Sequence, residues 1–102
     1  MASPVLAAAE KIHPWLVDTR RKIHMNPETA FEEHETSRLV AESLAEWGLE
    51  VKPGVARTGV LGIFDTGRPG PTIGIRADMD ALPIIEANDL DYRSQNAGAM
   101  HA

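Results

Sequence analysis

The hydrophobic residues of this chain change their spacing near Gly48, and that change limits the folds open to its 102 residues. Before Gly48 the apolar residues recur every three or four positions, as in the stretch 5–16, which is typical of amphipathic helices. After Gly48 they run in short blocks between Gly and Pro clusters, which is typical of strands. The sequence therefore predicts helices first and strands second, within one small α/β domain.

Two helical regions are predicted in the first half of the chain. Ser3-Pro4 offers a capping hydroxyl followed by a proline at the first helical position, and Pro14 is expected to end, kink or restart that helix. The helical stretch is predicted to stop before Asn26-Pro27. A further helix is predicted to start at 35–36 and to end at Gly48, a residue type that forms left-handed caps.

Three extended segments are predicted in the second half: Val51 to Pro53-Gly54, Val60–Phe64 and Thr72–Ala77. The first is expected to break at its proline and glycine, and the last two are joined by the turn-rich stretch 66–71. Residues 84–102 are polar and irregular, so a long loop is predicted there. A loop of that length usually has a function or belongs to an incomplete domain.

Charge and cysteine content exclude several classes of function. Ten Lys and Arg against fifteen Asp and Glu give a formal charge of −5, whereas a general nucleic-acid binder needs a basic face. No stretch approaches the ~18 apolar residues that span a bilayer, and the start lacks the basic segment of a signal peptide. Because the chain has no cysteine, thiolate metal sites are excluded within it, and a cytoplasmic location is expected.

Two carboxylates follow the last predicted strand. Asp78 and Asp80 lie just past Thr72–Ala77, and ligand crevices form at the carboxyl ends of strands in open α/β sheets. Residues two apart on an extended backbone point the same way, so both carboxylates can face one site. Such groups act as metal ligands, as general bases or as partners of a metal-bound histidine. Aspartates that only solvate a loop are the more common case at this spacing.

A second polar group consists of Arg21, His24 and Glu28. The simpler interpretation is that His24 closes a helix, where a cationic imidazole is favoured by the helix dipole, and that Glu28 is exposed. The tryptophans have the spacing of helical core residues and are expected to pack, and a lone histidine is usually not a ligand. No site role is therefore assigned to the following residues: His13, His34, His101, Trp15 and Trp47.

Taken together and in order, five segments resemble one enzyme family. They are RRKIHMNPE (20–28), FEEHET (31–36), TGV (58–60), GPTIGIRADMDALPI (70–84) and NAGAMHA (96–102). They resemble the metal-dependent amidohydrolase and carboxypeptidase family, which contains aminoacylases, hippurate hydrolases, indole-acetyl-amino-acid hydrolases and glutamate-releasing carboxypeptidases. The blocks after the first two are most similar to its hippurate hydrolase-like branch, and the match runs from about Ile12 to the last residue.

The resemblance implies a hydrolase that cleaves the amide bond of N-acyl amino acids or related small amides. Two divalent ions, zinc, manganese or nickel, would polarise the carbonyl and lower the pKa of a bridging water that a glutamate deprotonates. The implied fold is the first helices and strands of a zinc-exopeptidase-type three-layer α/β/α catalytic domain. Residues 1–102 are then expected to be the amino-terminal portion of that domain, without the smaller domain through which such enzymes form homodimers or higher oligomers.

The family pattern also suggests roles for the two aspartates. The wider family has His-x-Asp at the end of this strand, and here Asp78 stands at the histidine position and Asp80 at the aspartate position. The resemblance therefore implies that Asp80 orients a metal ligand and that Asp78 lines the site. In the branch, the ligands come from a Cys-Gly-His-Asp-Gly-His motif that follows the equivalent of 100–102. The metal ligands are therefore expected beyond Ala102, and none is expected within this chain, which by itself is expected to fold poorly and to be inactive.

Two other interpretations stay open. A small, acidic, non-catalytic α/β binding module would fit the composition, provided that the loop 84–102 ends in packing. Magnesium-dependent phosphate chemistry through Asp78 and Asp80 is disfavoured, because no Gly-rich phosphate loop precedes a helix.

Overall fold

The computed structural model describes residues 3–102, in which three helices precede a two-stranded antiparallel sheet and a long irregular segment. The elements are α1 (Pro4–Lys11), α2 (His13–Met25), α3 (His34–Glu46), β1 (Glu50–Val55) and β2 (Gly59–Ile63). The predicted order of helices before strands is confirmed. Within residues 3–102, no helix combines the length and the apolar character that a membrane crossing requires.

Prolines and a capping serine set the boundaries of the first two helices. Ser3 Oγ accepts a hydrogen bond from the Val5 N–H at 3.2 Å, and Pro4 lies in the first turn of α1, as predicted. Pro14 lies in the first turn of α2, where its missing N–H costs nothing. The two helices therefore meet at Ile12 instead of continuing as one.

The later helix ends also follow local sequence signals. α2 ends at Met25 with Asn26 as its cap, immediately before the proline that was predicted to stop it. α3 begins at His34, one residue before the predicted start. Gly48 follows the cap of α3 with a φ of 85°, which is the left-handed conformation predicted for it.

The first predicted strand does not break where its proline and glycine suggest. β1 continues through Pro53 and Gly54, and the pairing register shifts between Pro53 and Val55. Gly54 has a φ of 73°, a conformation that glycine adopts at little cost, and a bulge at this point lets the strand pass over the irregular residue. The prediction of a break at Pro53-Gly54 is therefore wrong.

The hairpin packs on α3 through a close approach at Gly62. A Cβ atom at Gly62 would lie 2.9 Å from Leu44 Cδ1 and 3.2 Å from Leu49 Cδ2. The absence of a side chain at this position therefore allows the leucines to reach the backbone of β2. β2 itself is displaced by one residue from the predicted strand 60–64.

The third predicted strand, Thr72–Ala77, has no regular secondary structure. Ile73 is 83% exposed and Ile75 is 95% exposed, and residues 72–77 make no backbone hydrogen bonds with the rest of the described chain. A strand exists only when its N–H and C=O groups pair with a neighbour, and none of the described residues provides one. The strand prediction for this segment is wrong.

Few residues are buried, and many of those are polar. The buried positions include Pro27, Ala81 and Ala99, together with five polar residues: His24, Glu33, Thr36, Thr58 and Glu86. The Cα radius of gyration is 15.9 Å, compared with about 13 Å for a compact domain of this length. Several of the buried residues lie at the end of α2, in the connection that follows it and in the irregular segment 84–102, namely His24, Pro27, Glu86 and Ala99.

Candidate functional site

A buried histidine and a buried glutamate form the centre of the candidate site. Nε2 of His24 lies 2.9 Å from Oε2 and 3.2 Å from Oε1 of Glu86, and each residue is 7% exposed. His24 does lie in the last turn of α2, as predicted. Its ring, however, is directed into the protein, and its partner is 62 positions away in the chain.

Three donors converge on the Glu86 carboxylate. Besides His24, the backbone N–H of Ser94 donates to Oε1, and Nδ2 of Asn88 donates to Oε2 at 3.2 Å. The Ser94 hydrogen bond contributes most to lowering the pKa of Glu86 to about 2, and His24 and Asn88 add to it, while burial acts in the opposite direction. Glu86 is therefore an ionised acceptor, and His24 must supply the proton of their hydrogen bond.

An aromatic ring joins Arg21 to this pair. The Tyr92 ring meets the His24 ring edge to face, with 5.8 Å between the ring centroids. The Arg21 guanidinium carbon lies 4.4 Å from the centroid of the same tyrosine ring, within the range of a cation–π contact. Two members of the predicted group, Arg21 and His24, are thus brought together through Tyr92.

Glu28, the third member of that group, lies elsewhere and caps α3. Its carboxylate accepts hydrogen bonds from the Glu35 N–H at 3.0 Å, the Thr36 N–H at 2.6 Å and the Thr36 hydroxyl at 2.7 Å. Burial tends to raise the pKa of Glu28, but these hydrogen bonds outweigh it and hold the pKa below its usual value. The prediction that Glu28 is exposed is wrong: it is half-buried at the N-terminus of a helix.

The main chain at Glu28 also holds the backbone next to Asp80, one of the two predicted aspartates. The Glu28 carbonyl accepts a hydrogen bond from the Ala81 N–H at 2.8 Å, immediately after Asp80. Asp80 lies near enough to His101 to favour the charged form of that histidine. Asp78 instead forms an exposed ion pair with Arg76 at 2.9 Å.

His101 is the one histidine of the described chain with a buried and unpartnered ring nitrogen. Its Nε2 atom is inaccessible and has no hydrogen-bond partner among the described residues. Burial lowers the pKa of His101, and the nearby His24 adds to that effect, while Asp80 opposes it. A neutral imidazole with a free nitrogen is the form that binds metal ions. Within residues 3–102, however, no three or more His, Asp or Glu side chains come together as potential ligands.

The unpartnered nitrogen of His101 does not test the expectation that every metal ligand lies beyond Ala102, because no group of three potential ligands forms around it among residues 3–102. Ala102 itself carries only a methyl group and can supply no side-chain ligand. The position of the metal ligands beyond Ala102 stays a prediction.

Sequence reasoning assigned no role to Glu86, Ser94 or His101. The hydrogen bonds of Glu86 join a polar loop to α2 across 62 residues, and no spacing rule relates residues so far apart. Glu86 also falls in the gap between two of the segments that carry the family resemblance. The one available signal was a charged residue directly after the apolar pair Ile84-Ile85.

The chain is similar in sequence and in fold to known hydrolases. It is 47% identical over 94 residues to thermostable carboxypeptidase 2 of Saccharolobus solfataricus, which covers 91% of this chain and 24% of that protein. It is 47% identical over 83 residues to the hippurate hydrolase of Campylobacter jejuni, which covers 81% of this chain and 22% of that protein. No family model matches the chain.

A solved structure gives the same relationship. The crystal structure of a dinuclear metal binding peptidase of the M20 family from Bacillus subtilis matches with a TM-score of 0.83 and 38% identity, covering 90% of this chain and 26% of that one. These similarities confirm the resemblance to the amidohydrolase and carboxypeptidase family and the fold class that it implies. The chain spans about a quarter of the length of the relatives it matches.

Proposed function

We propose that residues 1–102 form the amino-terminal part of the catalytic domain of a metal-dependent hydrolase that cleaves N-acyl amino acids or related small amides. The observation that carries the proposal is 47% identity, over most of this chain, to a carboxypeptidase and to a hippurate hydrolase. Hippurate is itself an N-acyl amino acid. The substrate class proposed here is therefore an amide whose leaving group is an amino acid.

Two divalent metal ions are proposed as the cofactors of the whole protein. The dinuclear metal binding of the related Bacillus subtilis peptidase supports this assignment. Zinc, manganese and nickel fit ligand sets of histidine and carboxylate, and such ions polarise a carbonyl and acidify bound water. The described residues bring no three potential ligands together, and the ligands are proposed to come from residues beyond Ala102.

Asp80 is proposed to orient the site and Asp78 to line it. Two features support a fixed position for Asp80: the hydrogen bond from the Ala81 N–H to the Glu28 carbonyl, and the electrostatic interaction of Asp80 with His101. A carboxylate beside an imidazole can fix the ring orientation and the tautomer. The exposed ion pair of Asp78 with Arg76 gives weaker support for a role in the site.

The partners follow from the same proposal. A small-molecule substrate fits the acidic charge balance, and neither nucleic acid nor a membrane is proposed as a partner. A homodimer or higher oligomer and a cytoplasmic location are proposed for the whole protein on the family resemblance alone.

A non-catalytic binding module is the second candidate, and one observation favours it. The loop 84–102 does end in packing, because Met100 and Leu82 exchange backbone hydrogen bonds of 2.9 and 3.0 Å. That packing satisfies the condition set for such a module. It does not separate the two candidates, whereas the identity to named hydrolases favours the enzyme.

Hippurate hydrolysis tests the proposal. The protein as its gene encodes it is purified, stripped with a chelator and reloaded with zinc, manganese or nickel, and glycine release is measured. We expect release only with metal, and a loss of about tenfold to a hundredfold for Asp80→Asn. The control variant is Asp18→Asn, an exposed aspartate on α2, which should retain full activity. Failure of every metal form to hydrolyse hippurate or other N-acyl amino acids would favour the binding module.

A further inference from the structure

The loop 84–102 contains no helix or strand, yet it is attached to the rest of the chain at defined points. The Gln95 N–H donates to the Met25 carbonyl at 2.8 Å, and Nδ2 of Asn96 donates to the Pro27 carbonyl at 2.9 Å. A segment without backbone pairing of its own depends on such contacts for its conformation. The side chains that supply them therefore decide where the loop lies.

Glu86 connects α2 to the end of this loop. Its carboxylate binds His24 on one side and the Ser94 N–H on the other. The Ser94 hydroxyl lies 2.7 Å from the Ala99 carbonyl and 3.0 Å from the Asn96 carbonyl, so it donates to the backbone of the same loop. A continuous chain of hydrogen bonds therefore runs from α2 through Glu86 and Ser94 to Ala99, two residues before His101.

We propose that His24 and Glu86 are positioning residues that hold the segment 94–101 against α2 and thereby fix the position of the His101 ring. The placement of His101 is a property of this chain, and only its consequence for hydrolysis rests on the proposed function. The carboxylate has three donors, is buried and is ionised, which are the features of a fixed junction in a hydrogen-bond network.

A buried hydrogen bond to a charged group is a weak source of stability, because the cost of removing the charge from water offsets most of the attraction. Breaking such a bond from one side is nevertheless costly, since a buried group is left without its partner. If the pair serves position, its loss moves His101. If it serves stability alone, its loss lowers the melting temperature and leaves His101 in place.

The chain contains a matched control for this pair. His34 and Glu32 form a second histidine–glutamate contact at 3.5 Å, but their side chains are 70% and 72% exposed. Glu32→Gln therefore removes a carboxylate from a histidine without disturbing a buried network. Glu86→Gln and Glu32→Gln therefore make the same chemical change, one in a buried and the other in an exposed histidine–glutamate contact.

The experiment measures the ring resonances of His101 and His13 in the protein as its gene encodes it, labelled with ¹³C-histidine and assigned by single substitutions. We expect Glu86→Gln and His24→Leu to shift the His101 signals, and His24→Gln, which keeps a donor near Glu86, to restore them. His13, which is exposed and outside the network, should not respond to any of these changes. Glu32→Gln should leave His101 unchanged.

Hydrolysis is the second measurement. Glu86→Gln and His24→Leu should lower kcat by about tenfold to a hundredfold, with recovery in His24→Gln, because displaced groups in a site cost that much. Unchanged His101 signals in a folded Glu86→Gln protein would overturn the proposal, whatever its activity. If Glu86→Gln does not fold, the comparison of His24→Leu with His24→Gln decides the question: restoration by glutamine supports the proposal, and equal spectra of the two variants overturn it.

The two proposals fail in different ways. Shifted His101 signals in a protein that hydrolyses no N-acyl amino acid support the positioning role and contradict the proposed function. If the protein hydrolyses N-acyl amino acids and its His101 signals are the same with and without Glu86→Gln, the proposed function is supported and the positioning role is contradicted.

Discussion

At the scale of single residues, two carboxylates organise the parts of the chain that lack regular structure. Glu28 collects three hydrogen bonds at the start of α3, and Glu86 collects its own set within the loop 84–102. Glu28 does so from outside the N-cap position of α3, which Glu33 occupies without a capping hydrogen bond, and Glu86 does so from an irregular segment. Both carboxylates therefore connect separate segments of the chain. Removing either one should change the structure of more than one segment.

Glu28→Gln should lower the free energy of unfolding by about 1–2 kcal/mol. The substitution removes the negative charge from the helix N-terminus and weakens the acceptor for Glu35 and Thr36. Urea unfolding at neutral pH measures the loss. Glu32→Gln, which changes an exposed carboxylate, should alter the same quantity by less than about 0.5 kcal/mol. Equal effects of the two substitutions would contradict the capping role.

The stability of the protein should fall when Glu86 is protonated. Folding lowers the pKa of this group from 4.5 to about 2, so its contribution is fully present above pH 4.5 and is lost as the pH falls towards 2. The melting temperature of Glu86→Gln should therefore decrease less over that range than that of the unaltered protein. Parallel decreases for the two proteins would show that the pKa of Glu86 is not shifted by folding.

At the scale of elements, the hairpin depends on Gly59 of β2, which lies close against the backbone of β1. A Cβ atom at Gly59 would lie 2.5 Å from the Val55 carbonyl oxygen, which cannot move without opening β1 and β2. Gly59→Ala should therefore destabilise the protein by about 1–3 kcal/mol. Gly74→Ala is the control, because no atom lies within 4 Å of the new methyl group, and its effect should stay within about 0.5 kcal/mol. Thermal unfolding followed by circular dichroism compares the two.

The two tryptophans join α2 to the end of α3. The Trp15 and Trp47 rings meet edge to face with centroids 5.4 Å apart, although they are 42% and 57% exposed. The tryptophans therefore pack against each other, but the expectation from their helical spacing that they are core residues is wrong, because both rings lie at the surface. A double-mutant cycle with Trp15→Leu and Trp47→Leu should give a coupling of about 0.5–1.5 kcal/mol in urea unfolding. Additive effects would mean that the contact contributes nothing to stability.

What the sequence predicted about these elements follows from the range of the interactions involved. The helices were predictable because caps such as Ser3 and Gly48 act within one turn of the helix that they end. The segment Thr72–Ala77 was not, because pairing depends on a neighbouring strand and not on the composition of the segment. The hydrogen bond between His24 and Glu86 could not be predicted, since a hydrophobic pattern carries no information about polar partners 62 residues apart.

At the scale of the whole molecule, the chain is more extended than a compact domain. Its radius of gyration of 15.9 Å exceeds the value of about 13 Å expected for this length, and large apolar side chains such as Phe64, at 73% exposure, remain at the surface. The driving force from buried apolar area is correspondingly small. Exposed apolar side chains lie both in the helices, such as Val5 at 78%, and in the segment that follows β2, such as Ile75 at 95%.

Residues 1–102 alone should therefore show a broad and weakly cooperative thermal transition, with less than about 5 kcal/mol of unfolding free energy. Calorimetry and amide proton spectra test this expectation, and the same preparation should release no glycine from hippurate. A sharp calorimetric transition with well-dispersed amide signals would contradict it.

The unpaired segment Thr72–Ala77 also affects how such a chain behaves at high concentration. Neither side of its backbone is hydrogen-bonded to the described chain, and Ile73 and Ile75 are almost fully exposed. An open strand edge with apolar side chains is a template on which a second molecule can add its own strand. Self-association through this segment should therefore compete with folding, and a lysine or proline in place of Ile75 should keep the isolated chain dispersed in solution.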